Sequence, residues 1–177
     1  MADEIDLGTA LDTIVATIAG EFQAFKTVAS EDQAPRDLPV PAILLQLSEL
    51  EPEAEKDPHT GQFPCLVHVE ARLIMGNRTP RVRRDSIKAA GALAAFVHNN
   101  RLGVKWGAAE VLAVEPDEFA PQADNFNIWR LEWVHFACVG SSYFIDSGVT
   151  PTQVLASWAP DIGSDNEADY KDVRNDV

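Results

Sequence analysis

Four histidines are the residues of this chain with the clearest potential for metal or acid-base chemistry. They are His59, His68, His98 and His135. Their spacing contains no His-x-x-x-His motif, and the two cysteines form no Cys-x-x-Cys pair. A metal shared by two histidines across neighbouring strands is geometrically possible, but polar residues on strand faces are the simpler interpretation. The sequence therefore predicts no metal site.

Two acidic runs, at residues 49–55 and 161–169, contain carboxylates that could act as paired general acid and base groups. Such groups need a dry pocket that shifts their pKa, and both runs are expected to be solvated. The second run also resembles a calcium loop, but Asn166 and Asp172 stand where the EF-hand pattern needs glycine and glutamate. No Gly-x-Ser-x-Gly elbow or phosphate-binding glycine loop occurs. The sequence predicts no catalytic residue and no cofactor, and hence a protein that is not an enzyme.

One basic cluster departs from the acidic trend of the chain. Arg81, Arg83 and Arg84 follow Arg78 in the segment that leads into the second predicted helix. A phosphate site there is conceivable, but pairing with the acidic tail of a neighbouring copy suits a self-assembling chain better. The three arginines are therefore predicted interface residues.

Length and charge limit the possible functions. The 177 residues, 46% of them hydrophobic, suffice for one domain with a core. The 28 acidic and 14 basic residues give a formal charge of −14, which disfavours tight binding to nucleic acid or to an anionic membrane. The acidic N-terminus does not resemble a signal peptide, and no apolar stretch reaches the roughly 20 residues of a spanning helix. Together with only two cysteines, these features predict a cytoplasmic location.

The hydrophobic pattern predicts the element order helix, strand, strand, helix, strand, strand. Apolar residues at helical spacing over residues 7–25 predict the first helix. Alternating residues predict an antiparallel hairpin of strands at 41–50 and 63–75, and two later strands near 109–114 and 127–139.

The second helix is predicted to follow Asp85 and to stop in residues 99–103. Its packed stripe is made mostly of small residues, which allow a close approach to a sheet. The predicted stripe is Ile87, Ala90, Gly91, Ala94, Val97 and His98.

Two tight strand pairs around a helix cannot make repeated parallel crossovers, so residues 1–140 are predicted to form an α+β core domain. Its architecture is a mainly antiparallel four-stranded sheet with two helices on one face. The last strand places Leu131 and Trp133 on one side but Val134 and Phe136 on the other, so either a bulge switches the faces or both faces are covered. Coverage by a neighbouring subunit is the simplest solution and makes Val134 and Phe136 predicted intersubunit contacts.

Residues 141–177 lack a sustained apolar period and carry isolated bulky side chains among polar ones. Such a segment buries too little surface to fold alone, but it can order itself by placing its bulky side chains on another surface. It is predicted to be an extended C-terminal arm with Trp158, Ile162 and Tyr170 as anchors. The alternative is a tail packed against its own domain.

Three segments of the chain resemble a known family. The segments PAILLQL at 41–47, WRLEW at 129–133, and APDIG followed by EADY within 159–170 are similar to small tail-terminator, or tail-completion, proteins of long-tailed bacteriophages, including Mu-like ones. The resemblance covers about residues 5–170. It implies an α+β subunit of a hexameric ring that caps the tail tube next to the neck, and hence a structural virion protein assembled in the host cytoplasm.

The resemblance also implies the partners of the chain. They would be copies of itself, the tail tube protein and the neck or head-to-tail connector protein, with DNA passing an acidic lumen without specific binding. Two alternatives stay open. One is a head-to-tail connector ring, and the other is a small cytoplasmic enzyme with a site on the open sheet face, using His68, Glu70, Arg72 and His135.

Overall fold

In a computed structural model, the chain divides into two units, Ala2–Phe144 and Ile145–Val177. Among the described residues, the larger unit contains two α-helices and five strands. The described residues are 6–77, 81–117, 126–144 and 153–173. The elements of this unit are α1 (Leu7–Glu21), β1 (Thr27–Ser30), β2 (Ala42–Pro52), β3 (Phe63–Gly76), α2 (Val82–Val97), β4 (Glu110–Pro116) and β5 (Phe126–Val139). Short 3₁₀-helices at Glu31–Gln33 and Ala54–Lys56 follow β1 and β2. In the described parts, no helix combines the length and the apolar composition needed to cross a membrane.

The five strands form one mixed sheet in the order β1-β2-β3-β5-β4. β1 pairs parallel with β2, and the other three pairings are antiparallel, including the predicted hairpin of β2 and β3. The prediction of a mainly antiparallel four-stranded sheet with two helices is therefore wrong, because β1 adds a parallel fifth strand and 3₁₀-helices accompany the α-helices. At four residues, β1 shows too few alternations for the sequence pattern to reveal it, and it lies between the predicted helix at 7–25 and the predicted strand at 41–50.

Apolar and polar side chains alternate along β3, and this alternation distinguishes the two faces of the sheet. Val67, Val69 and Ala71 are fully buried on one face. Both helices pack on this face and contribute to the same core cluster, with Ile14 and Ile18 from α1 and Leu93 and Val97 from α2. The intervening polar residues of β3 lie on the opposite face, called the open face below.

α1 begins with an N-cap and ends before its predicted limit. The carboxylate of Asp6 accepts hydrogen bonds from the backbone N–H groups of Gly8, at 2.9 Å, and Thr9, at 3.4 Å. The side-chain and backbone hydrogen bonds of Thr9 and that of the Gly8 amide lower the pKa of Asp6. The helix ends at Glu21 rather than near Phe25, and the rings of Phe22 and Phe25 meet edge to face beyond it.

α2 is rotated relative to its predicted orientation and starts earlier. It begins at Val82, so Asp85 lies in its first turn. Its buried stripe is Ser86, Ala90, Leu93 and Val97, whereas Ile87 is 53% exposed. The prediction that placed Ile87, Gly91 and His98 on the packed face is wrong, because the hydroxyl of buried Ser86 donates to the carbonyl of Val82 at 2.8 Å. A polar residue with such a local partner can occupy a core position.

β5 runs beside β3 without a register shift. Phe63–Gly76 of β3 pairs continuously with Phe126–Val139 of β5. The irregularity in this part of the sheet lies in β4, between Val111 and Ala113. The faces of β5 therefore do not switch, and Val134 lies on the open face.

The segment after β5 is fastened to the turn of the β2–β3 hairpin. The backbone N–H of Tyr143 donates to the carbonyl of Thr60 at 2.8 Å. The ring of Tyr143 lies so close to Gly61 that a Cβ there would stand 2.0 Å from the ring, and the φ angle of Gly61 is +77°. Both the space and the backbone angle require glycine at this position.

The second unit folds back on itself in its described part. β6 (Leu155–Ala156) pairs antiparallel with β7 (Lys171–Asp172), and a 3₁₀-helix at Ser164–Asp169 precedes β7. The backbone N–H of Gly163 donates to the hydroxyl of Tyr170 at 3.0 Å. The predicted extended arm is therefore wrong for this segment, because these hydrogen bonds close it into a loop. It is called the C-terminal unit below.

The rotated orientation of α2 can be tested by a pair of substitutions on that helix. Leu93→Ala removes a fully buried side chain and should lower the free energy of unfolding by about 2–5 kcal/mol. Ile87→Ala removes an exposed side chain of similar size and should change it by less than about 0.5 kcal/mol. Urea unfolding of the dilute protein, followed by circular dichroism, measures both values, and equal losses would contradict the observed orientation.

Candidate functional site

The two histidines considered as metal ligands lie on opposite faces of the sheet. His68 of β3 pairs with Val134 of β5, whereas Val67 pairs with His135. Because neighbouring residues of a strand point to opposite faces, His68 lies on the open face and His135 in the core. A shared metal and the predicted four-residue enzyme site are both excluded by this arrangement. Among the described residues, no group of three His, Cys, Asp or Glu side chains is arranged to hold a metal ion.

His135 is a hydrogen-bonded core residue. It is fully buried, and its Nδ1 donates to the carbonyl of Gly107 at 2.8 Å, while its Nε2 accepts from the indole N–H of Trp133 at 3.1 Å. This pairing defines a neutral ring with its proton on Nδ1. Burial lowers the pKa of His135, and the bond to Gly107 opposes that shift only in part. The residue holds the segment before β4 against β5 and takes no part in a site.

His68 lies between two carboxylates on the open face. Its Nδ1 is 3.1 Å from Oε1 of Glu132, and its Nε2 is 3.1 Å from Oε2 of Glu51. Only a doubly protonated imidazole can donate to both partners. Burial lowers the pKa of His68, but the hydrogen bonds to Glu132 and Glu51, helped by the charge of Glu49, outweigh it and raise the pKa above its ordinary value of 6.5. His68 therefore acts as a cation that joins β2, β3 and β5.

Two arginines continue this network along the open face. Arg72 contacts Glu70 at 3.0 Å and also pairs with Glu31. Arg130 lies 3.6 Å from Glu70 and pairs with Glu115. The hydrogen bond that Arg130 donates to Glu115 is the main reason that the pKa of Arg130 is raised. Glu70, which is almost fully buried, thus has an arginine on either side.

A small cleft of about 320 Å³ opens among these side chains. It is lined by Glu70, Arg72, Glu115, Pro116, Asp117 and Arg130. Each of its two guanidinium groups already pairs with carboxylates of the same chain. A substrate anion would have to displace these partners, so the cleft is better suited to holding the strands together than to catalysis.

The predicted basic cluster is exposed at the start of α2. Arg81 is the residue before the helix, and Arg83 and Arg84 lie in its first turn. Within the described parts of the chain, none of the three forms an ion pair, in contrast to Arg72 and Arg130. Arg78, the first residue of the cluster, lies outside the described residues. Arg81, Arg83 and Arg84 therefore offer positive charge that the described part of the chain leaves unpaired.

The predicted anchors differ in their surroundings within the C-terminal unit. Trp158 is 86% exposed and Ile162 is 54% exposed. Tyr170 is half-buried, since its hydroxyl accepts the hydrogen bond from Gly163. Trp158 and Ile162 are free to contact another surface, whereas Tyr170 mainly holds the unit closed.

The two predicted contacts on β5 are largely covered by their own chain. Val134 is only 4% exposed. Phe136 is half-buried, and the ammonium of Lys56 lies 5.5 Å from the centre of its ring. Both residues have little surface left to offer a second copy.

No family model matches the sequence, and no curated protein matches it significantly. The resemblance to tail-terminator proteins therefore stays a prediction from the segments quoted above.

The sequence pattern did not predict that the charged residues of the open face form one connected network. His68, Glu70 and Arg72 were placed on one face by alternation, but their partners Glu51 and Glu132 come from other strands. Pairing across strands depends on register, which a single sequence does not specify. The one feature of the sequence that indicated this network was the alternation of acidic residues in β2, where Glu49 and Glu51 stand two positions apart.

The charge of His68 predicts how stability depends on pH. Because its pKa is raised in the folded state, its contribution is fully present below pH 6.5 and is lost as the pH rises through the folded-state pKa. The stability advantage of the native protein over His68→Gln should therefore shrink between about pH 5.5 and about pH 8.5.

Urea unfolding at both pH values measures this difference. His98→Gln, which removes an exposed imidazole at the end of α2, is the matched control. The stability difference between the native protein and this variant should change less between the two pH values. An advantage over His68→Gln that is constant or grows with pH would show that the ring is not held as a cation.

Proposed function

We propose that this chain is a structural protein of a bacteriophage virion, a tail terminator that forms a ring capping the tail tube and joining it to the neck. The observation that carries the proposal is the exposure of large apolar side chains on the C-terminal unit, together with Arg81, Arg83 and Arg84 at the start of α2, which form no ion pair among the described residues. Both surfaces are suited to contacts with other copies. The number of subunits that the resemblance implies is six.

The exposed side chains of the C-terminal unit favour association. Four of them are Leu155, Trp158, Ile162 and Val173. Burying a tryptophan side chain removes about 150–250 Å² from water, which at about 25 cal/mol per Å² favours association by roughly 4–6 kcal/mol before the entropic cost of binding. An apolar surface of this kind on a small unit is typical of an interaction site.

The apolar surface of the C-terminal unit and the basic surface at the start of α2 differ in chemistry, and this difference favours a ring. A contact between unlike patches is heterologous, so repetition around an axis gives a closed ring when the rotation closes. The two axial faces of such a ring are chemically different. One face can bind the end of the tail tube, while the other lacks the docking surface of the tube and stops further growth.

The charge of the chain is compatible with DNA passing through the ring. The excess of 28 acidic over 14 basic residues leaves little positive surface for phosphates. On the open face, Arg72, Arg130 and His68 are all paired with carboxylates of the chain itself. Such a surface releases few counterions from DNA and so does not hold it.

Removal of Trp158 tests the proposal. Trp158→Ala should weaken ring formation by about 2 kcal/mol or more, roughly thirtyfold, while the subunit still folds, because the side chain is exposed in the single chain. Phe144→Ala, which removes an exposed aromatic ring outside the C-terminal unit, is the matched control. Native mass spectrometry and negative-stain imaging, with and without purified tail tubes, measure the rings.

The outcomes separate the possible roles. Rings at the ends of tail tubes that Trp158→Ala weakens and Phe144→Ala retains would support the proposal. Binding to portal or connector complexes instead of tubes would identify a head-to-tail connector. A chain that stays monomeric under all of these conditions would exclude both roles.

A further inference from the structure

The C-terminal unit contains a groove that can receive a side chain from another molecule. The groove has a volume of about 650 Å³ and is lined by Leu155, Gly163, Ser164, Glu167 and Tyr170. Leu155 and the ring of Tyr170 make part of its lining apolar. The hydrogen bond between Tyr170 and Gly163 holds two of these lining residues together.

Carboxylates are frequent in the chain segment that forms this groove. Asp161 and Asp165 flank Gly163 and Ser164 in the chain, and Glu167 belongs to the lining itself. All three are exposed, and within the described residues none of them forms an ion pair with a lysine or arginine. The groove therefore fits an apolar side chain that has cations on either side.

The start of α2 presents a side chain of this kind. Ile87 is exposed, although isoleucine is among the residues that are most often buried. Arg83 and Arg84 lie four and three residues before it and are its neighbours on the helix surface, and Lys88 follows it directly. All three cations are exposed, and no ion pair involves them in the described part of the chain.

The surface next to Ile87 allows another chain to come close. Gly91 lies one turn after Ile87 and is exposed, and a Cβ built on it would meet nothing within 4 Å. A second molecule can therefore approach the helix backbone at this point without a side chain in its way. Along the helix, exposed Ile87 therefore lies between Gly91 and the two arginines.

We propose that Ile87 of one copy inserts into the groove of the C-terminal unit of a second copy, with Arg83, Arg84 and Lys88 facing Asp161, Asp165 and Glu167. The proposal rests on the self-association proposed above and identifies its two surfaces. The occupant of the groove is a second copy because this chain carries both halves of the match, an apolar side chain among cations and an apolar groove among carboxylates. Each copy has one of each, so the contact can repeat from subunit to subunit.

Two charge-reversed variants test the contact. The first carries Arg83→Glu and Arg84→Glu, and the second carries Asp161→Lys and Asp165→Lys. Each alone places like charges on both surfaces, so its association should weaken about tenfold or more relative to the native chain. All four residues are exposed, and circular dichroism checks that the fold is kept.

Mixing the two variants distinguishes contacts between copies from contacts within one chain. In the mixture, the helix of each variant again meets a groove of opposite charge on the other, so rings should return to near the native amount, with both masses in one ring by native mass spectrometry. A contact within one chain cannot be restored by mixing. Failure of the mixture to restore rings would therefore overturn the proposal.

The apolar half of the contact has its own test. Ile87→Ala should reduce ring formation, whereas Leu112→Ala, which removes an exposed leucine from β4, should not. Native rings that all of these variants retain would overturn the groove assignment but leave the proposed function standing. A native chain that forms no ring with or without tail tubes would overturn the proposed function itself.

Discussion

The register of β3 between β2 and β5 is the constraint on which the rest of the structure depends. Its pairing with β5 is continuous over the full length of both strands. Because side chains alternate between faces, a shift of one residue would bring His68, Glu70 and Arg72 into the core and expose Val67 and Val69. Burial of unpaired charges costs several kcal/mol per group, so the alternative registers are strongly disfavoured. The placement of both helices and of the charge network follows from this one register.

The same register brings the cations of the open face next to carboxylates of the same chain. His68 pairs with carboxylates from both neighbouring strands, and each arginine of the network pairs with Glu70 and with at least one further glutamate. A face whose cations are already paired has little to gain from an anionic ligand. Among the described residues, the arginines at the start of α2 form no ion pair, and the exposed apolar side chains that we propose for assembly lie on that helix and on the C-terminal unit. The residues that stabilise the sheet are thus different from the exposed residues that we propose for assembly.

The sequence predicted the parts of the fold in which one pattern dominates. The alternation of β3 was readable because each polar residue stands between apolar ones over many positions. The parallel strand β1 was not predicted because four residues give no clear alternation. The C-terminal segment was predicted as an extended arm because the sequence pattern does not reveal the hydrogen bond from Gly163 to Tyr170, which joins residues seven positions apart. The charge network required the register, which depends on all strands together. Of the predicted interface residues, Trp158 and the arginines are exposed, whereas Val134 is covered within the chain.

The orientation of α2 connects the core to the surface that we propose for assembly. Successive helical residues are about 100° apart, so burial of Ser86 directs Ile87 outward and fixes where the arginines lie around it. If the packed stripe included Ile87 instead, the apolar side chain would be lost from the surface and the arginines would turn with it. The hydrogen bond of Ser86 to Val82 permits a polar residue in the stripe and so makes the exposed isoleucine possible. Pairing of these cations with carboxylates of a second copy would also use up the main basic cluster, which would leave the assembled surface acidic and poorly suited to holding DNA.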